Sequence, residues 1–109
     1  MMNDAARKYL GDTFSDLINY ETPDPLQPID PVAYRTPEGD SCLHIAAARG
    51  NLAAVELLVD AGLDVDLRGD LGNTPLHYAR KSRHENVVQF LVNRGASPQV
   101  VNELGEKAL

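Results

Sequence analysis

The sequence predicts a mostly α-helical solenoid of stacked helix-turn-helix units, joined by hairpin-like fingers and preceded by a capping helix. Three observations predict it. The stretch Gly72-Asn73-Thr74-Pro75-Leu76-His77-Tyr78-Ala79 reads as complete turn-to-helix punctuation, with a cap residue, a proline at the first helical position and an apolar start. A weaker copy, Gly39-Asp40-Ser41-Cys42-Leu43-His44-Ile45-Ala46, lies 33 residues upstream. The offset persists through Val55 and Val88, Leu58 and Leu91, Val59 and Val92, and Gly62 and Gly95, and a third copy starts at Gly105 and is left unfinished at Leu109.

Taken in order, residues 4–19 are expected to be helical, because Leu10, Phe14, Leu17 and Ile18 fall at i, i+4, i+7 and i+8 and form one apolar stripe. Asn3 or Asp4 can cap its start, and Gly11 weakens it by about 1 kcal/mol relative to Ala. The helix is read as a lid on the solenoid, since an open end of stacked helices needs an element apolar on one side only. A free partner-binding helix is the alternative. Residues 21–37 hold five of the seven prolines (Pro23, Pro25, Pro28, Pro31, Pro37), so they should form an extended, irregular strap. Leu26, Ile29, Val32 and Tyr34 are expected to tack this strap to the body. Residues 1–35 thus form one segment and residues 36–109 the repeat domain.

In the first repeat Ser41 stands at an N-cap position, residues 42–48 form a short inner helix, and Gly50 closes it. Leu52, Val55, Leu58 and Val59 mark one face of an outer helix that stops at Ala61-Gly62. The second repeat has the same order: Thr74 caps, Pro75 opens the inner helix, Val87, Val88, Leu91 and Val92 carry the outer helix, and Gly95 ends it. The segments 68–72 and 102–105 are the fingers that follow each repeat.

A period of about 33 with a Thr-Pro-Leu-His-x-Ala core is the ankyrin signature, and residues 36–109 resemble ankyrin-repeat proteins, most specifically in the second repeat. The resemblance implies that Thr74 with His77, and Ser41 with His44, hydrogen-bond locally and to the neighbouring turn in a structural role. It also implies partner binding through the finger tips and the concave face. Carried onto this sequence, that face comprises Glu38, Asp40, Ala48 and Arg49, then Arg68, Asp70, Leu71, Asn73, Lys81 and Ser82, with Glu103 and Leu104 on the last finger. Three features depart from the family pattern, one of them Arg80, which replaces the second alanine of the pair seen as Ala46-Ala47. Arg83 stands where Gly50 closes the first inner helix, so this turn is expected to differ in shape. Only two units are complete, whereas about three are normally needed to bury a continuous core.

The composition restricts function further. The net charge of −6 argues against general nucleic-acid binding, which rests on Lys and Arg neutralising phosphates. It favours a basic protein partner. The imbalance is uneven, with −4 over residues 1–39, −4 over 40–72 and +2 over 73–109. One cysteine, Cys42, cannot form an internal disulfide; with no apolar run for a signal peptide or a membrane span, a cytoplasmic address is expected. No cofactor or metal is indicated. Helices carrying His44 and His77 should pack about 8–10 Å apart, which gives two zinc ligands no easy convergence. Asp64 and Asp66 read as a solvated loop face, and Arg80, Lys81, Arg83 and His84 as positive side chains around the C-terminal dipole of an inner helix. The leading expectation is a non-enzymatic protein-interaction module, with a neutralising, inhibitor-like partner as its sharper version. The rival is an assembly protein that self-associates through its open C-terminal repeat, as a weak homodimer.

Overall fold

The computed structural model describes residues 2–24 and 26–109; the strap position Pro25 lies outside the described residues. Among the described residues there are five α-helices: α1 (Asp4–Thr13), α2 (Cys42–Arg49), α3 (Leu52–Asp60), α4 (Pro75–Lys81) and α5 (Glu85–Asn93). Inner helices α2 and α4 pack side by side, outer helices α3 and α5 do the same, and each inner helix packs on its own outer one. Helix α1 packs on α3, so it extends the outer row. The core between the rows is aliphatic, with Leu43, Val55, Leu58, Leu76, Val87 and Leu91 wholly buried. Among the described residues no helix is long and apolar enough to cross a membrane.

Local chemistry accounts for the helix boundaries of the repeats. Ser41 Oγ accepts from the amides of Leu43 and His44, and Thr74 Oγ1 accepts from that of His77, each satisfying amides that the first helical turn leaves unpaired. Gly50 ends α2 at φ +74°, a conformation that carries no Cβ penalty for glycine. Asn51 then caps α3 by accepting from Ala54.

Three expectations are corrected. The first helix stops at Thr13 instead of running to residue 19, because Ser15 turns both its amide and its hydroxyl onto the Asp12 carbonyl. The apolar spacing continues beyond that point, yet Leu10 and Phe14 are fully buried while Ile18 is half exposed. Next, only Tyr34 and Ile29 tack the strap down: Tyr34 is buried and donates from Oη to the Ile18 carbonyl at 3.0 Å. Leu26 is 88% exposed and Val32 39%. Third, the turn closing α4 keeps the shape of its counterpart. Arg83 adopts φ +60°, close to that of Gly50, so the repeat geometry overrides the preference of the residue.

A side chain in the left-handed region costs about 1 kcal/mol. Arg83→Gly is therefore expected to raise the urea midpoint by an amount equivalent to about 1 kcal/mol. A lower midpoint would mean that the arginine contributes contacts exceeding its backbone strain.

Candidate functional site: the fingers and the inner-helix ends

Each finger is held by an imidazole. His44 Nδ1 accepts from the Ser41 amide at 3.0 Å while Nε2 donates to the Leu67 carbonyl at 2.7 Å. His77 repeats the arrangement, with Nδ1 accepting from the Thr74 amide at 3.0 Å and Nε2 donating to the Glu106 carbonyl at 2.9 Å. A carbonyl can only accept, which places the proton on Nε2 and leaves Nδ1 free for the amide. Both rings are thus committed to scaffold bonds as neutral tautomers. Cys42 is wholly buried, and burial pushes its thiol up to about 12, so it stays protonated. Among the described residues no group of three or more His, Cys, Asp or Glu is placed to hold a metal ion.

The fingers are also stitched to one another. Asp40 Oδ1 accepts from the Asp70 amide at 2.9 Å, and the Glu103 amide donates to the Leu71 carbonyl at the same distance. Gly69 makes the first approach possible, since a Cβ there would strike the Asp40 carboxylate. Tyr78 Oη donates to Asp40, 2.8 Å from Oδ2 and 3.0 Å from Oδ1, and burial followed by this carboxylate raises the phenol above its usual value. Arg68 Nη1 donates to the Val101 carbonyl at 3.0 Å.

These bonds divide the twelve sequence-predicted binding residues. Asn73 is corrected: it is buried, its Nδ2 donates to the Asp70 carbonyl and its Oδ1 accepts from Asn102 Nδ2 at 2.8 Å. Asp40 and Asp70 are half-buried and engaged between fingers, through the carboxylate of one and the amide of the other. Glu38, Leu71, Glu103 and Leu104 lie exposed on the fingers, with Leu71 46% and Leu104 61% accessible. Ala48, Arg49, Lys81 and Ser82 gather at the opposite ends of the two inner helices, about 10 Å away along the helix rise of 1.5 Å per residue. There Arg49 pairs with Asp16 at 2.6 Å and holds that carboxyl below its ordinary range, while Lys81 pairs with Glu106 at 2.9 Å. The Ala48 carbonyl accepts from His84 Nε2 at 3.1 Å.

Sequence reasoning missed the acceptor role of Asp40, although a signal existed: Asp40 and Asn73 occupy the same place in the 33-residue period, and each accepts from the following finger. It also missed that Asp66 Oδ1 accepts from the Ser97 amide at 3.0 Å, which ties the two repeats together behind their outer helices.

Burial lowers the pKa of His44 from the usual imidazole value near 6.5. Between the lowered folded value and 6.5 the unfolded chain binds more protons. Stability is therefore complete above about pH 6.5 and falls as pH drops through that window, by at most about 1.4 kcal/mol per pH unit for one group. In a proton NMR titration the His44 ring should show a midpoint below 6.5, and the urea midpoint should fall between pH 7 and pH 5. A ring midpoint at or above 6.5 would contradict the locked tautomer.

Comparison with known proteins agrees with this geometry. The chain matches the family described as ankyrin repeats (3 copies) over residues 2–102, which takes in α1 as well as the two capped repeats. It is 42% identical over 71 residues to an ankyrin and IPT/TIG repeat-containing protein of Schizosaccharomyces pombe, covering 65% of this chain and 6% of that protein. Against the B-cell lymphoma 3 protein of Homo sapiens the identity is 41% over 75 residues, 65% of this chain and 16% of the relative. Protein phosphatase 1 regulatory subunit 27 of Homo sapiens is 37% identical over 70 residues, 64% of this chain and 46% of the relative. The chain thus spans less than half the length of each of these relatives. With its two Ser/Thr-His boxes, its stitched fingers and a family match running through nearly all of its length, the chain belongs to the ankyrin-repeat family, whose repeats mediate protein–protein interaction.

Proposed function

We propose that this chain is a non-enzymatic binding module that holds one protein partner through its finger tips, with the inner-helix ends as a second contact. The observation that carries this reading is Leu71. It lies 33 residues before Leu104, both are exposed on successive fingers, and Leu71 sits at φ +55°. Glycine would occupy that backbone at lower cost, so a leucine left 46% exposed there brings strain with only partial burial in return. An apolar anchor for a partner supplies the missing gain. Glu38 and Glu103 beside these tips favour a partner with basic groups around an apolar contact.

Within this reading a neutralising, inhibitor-like role is the sharper form, and the relative named as a phosphatase regulatory subunit supports it as an analogy. Residues 1–35 serve as the cap of the stack. A reducing compartment such as the cytoplasm suits the single buried thiol of Cys42.

The test is affinity capture from the native host with the tagged chain and with Leu71→Gly. The variant should melt no lower than the parent, because the strained side chain is removed. Retention of the partner should fall about tenfold or more, corresponding to at least about 1.4 kcal/mol at an anchor position. Equal retention by parent and variant would refute the finger-tip site.

A further inference from the structure

Away from the fingers, at the capped end of the stack, a groove of about 440 Å³ runs between α1 and the strap. That volume lies within the range of about 300–1,000 Å³ typical of binding clefts. Lys8, Gly11 and Asp12 line its helix side at i, i+3 and i+4, Ser15 lines it from the turn after α1, and Leu26 and Ile29 line its strap side.

Two properties of this groove are left unexplained by the scaffold. The first is Gly11. The other glycines either adopt positive φ or, as at Gly69, sit against a neighbour that leaves no room for a side chain. Gly11 does neither: it lies inside a helix, where glycine is unfavourable, and a Cβ there would meet nothing within 4 Å. The second is apolar exposure. Leu26 is 88% exposed and Ile18 49%, on either side of the same depression.

The surrounding charge selects the occupant. Asp12 and Asp16 line the groove together with Lys8, and three further exposed acids, Glu21, Asp24 and Asp30, belong to the strap that forms its other wall, so residues 12–30 carry five acids with no Lys or Arg. Asp12 pairs with Lys8 and Asp16 with Arg49, both in exposed pairs that cost little to open. A bare stretch of helix at a glycine lets a second helix approach closely, and an apolar stripe at i, i+3, i+4 and i+7 is how a helix occupies a groove. We propose that this groove binds an amphipathic helix of a partner protein, seating apolar side chains between Gly11 and Leu26 and placing Lys or Arg against the acidic rim. The site is separate from the finger tips and stands or falls independently of them.

The probe is a fluorescein-labelled 14-residue peptide with Leu on one helical face and Lys on the other, measured by anisotropy and by amide shift mapping on the labelled chain. The comparison peptide carries Gln in place of Leu at equal charge. The expected result is shifts at Gly11, Leu17, Leu26 and Ile29, and at least tenfold weaker binding of the comparison peptide. Gly11→Leu should fill the groove and weaken the probe at least tenfold while melting at or above the parent temperature. Leu26→Ser, at a position too exposed to affect folding, should also weaken it, and Leu71→Gly should leave it unchanged. Equal affinity for both peptides, shifts confined to the fingers, loss of binding in Leu71→Gly, or full binding by Gly11→Leu would each overturn the proposal. So would self-association of the parent chain that Gly11→Leu abolishes, because the occupant would then be a second copy.

Discussion

Each repeat of this molecule is fastened by one imidazole that bonds backbone on both of its sides. In His44 and His77 one ring nitrogen holds the amide at the start of its own inner helix and the other reaches a carbonyl in the chain that follows. Local structure and stacking are thereby coupled in one side chain. Losing the proton arrangement of the ring would leave a buried amide or carbonyl unpaired, a cost of about 1–3 kcal/mol each. Among the described residues every buried side-chain nitrogen and oxygen has a partner. The two boxes are not identical copies, since His44 reaches 23 residues ahead and His77 reaches 29. The same ring can therefore tolerate different finger paths, provided that a carbonyl arrives at Nε2.

Rigid fingers explain why strain persists in two places with different meanings. Arg83 is forced into the left-handed region by the short link between α4 and α5, where Gly50 serves the first repeat at no steric cost. Its strain follows from the repeat plan. Leu71 occupies a tip whose amide neighbours are already bonded between Gly69, Asp70 and Asn73, so the finger holds its shape whatever side chain the tip carries. Strain at an exposed apolar tip is therefore not a packing requirement. Only the first of these two positions could be identified from the sequence, because Gly50 supplies a counterpart for Arg83 and Glu38 supplies no conformational hint for Leu71.

What could be read from the residues was the chemistry acting within one repeat. Caps at Ser41 and Thr74, stops at Gly50 and Gly95, and apolar faces such as Val55 and Leu58 depend on neighbours within a turn or two, and the structure places them as expected. The end of α1 was not legible, because Phe14, Leu17 and Ile18 prolong a helical spacing that a serine hydroxyl interrupts. Nor were the links between repeats: whether Asp40 faces solvent or the Asp70 amide depends on the register of two fingers 30 residues apart. The strap misled for a related reason. Apolar content alone did not distinguish Tyr34, which finds a carbonyl for its hydroxyl, from Leu26, which remains outside.

The distinction between buried and exposed polar groups also decides which surface remains available for recognition. Asp40 is held by a phenol and an amide in a half-buried setting, so turning it toward a partner would abandon both bonds at once. Asn73 is bound in the same way and more deeply. By contrast, Lys81 with Glu106 and Arg49 with Asp16 are exposed pairs, each worth about 0–1 kcal/mol, and either can exchange its partner for a group on another protein at little loss. The concave face thus separates by energetics into a fixed inner lining and replaceable edges. On the proposed reading, selectivity among partners would arise at those edges and at the leucine tips, whose side chains take no part in the bonds that keep the repeats in register.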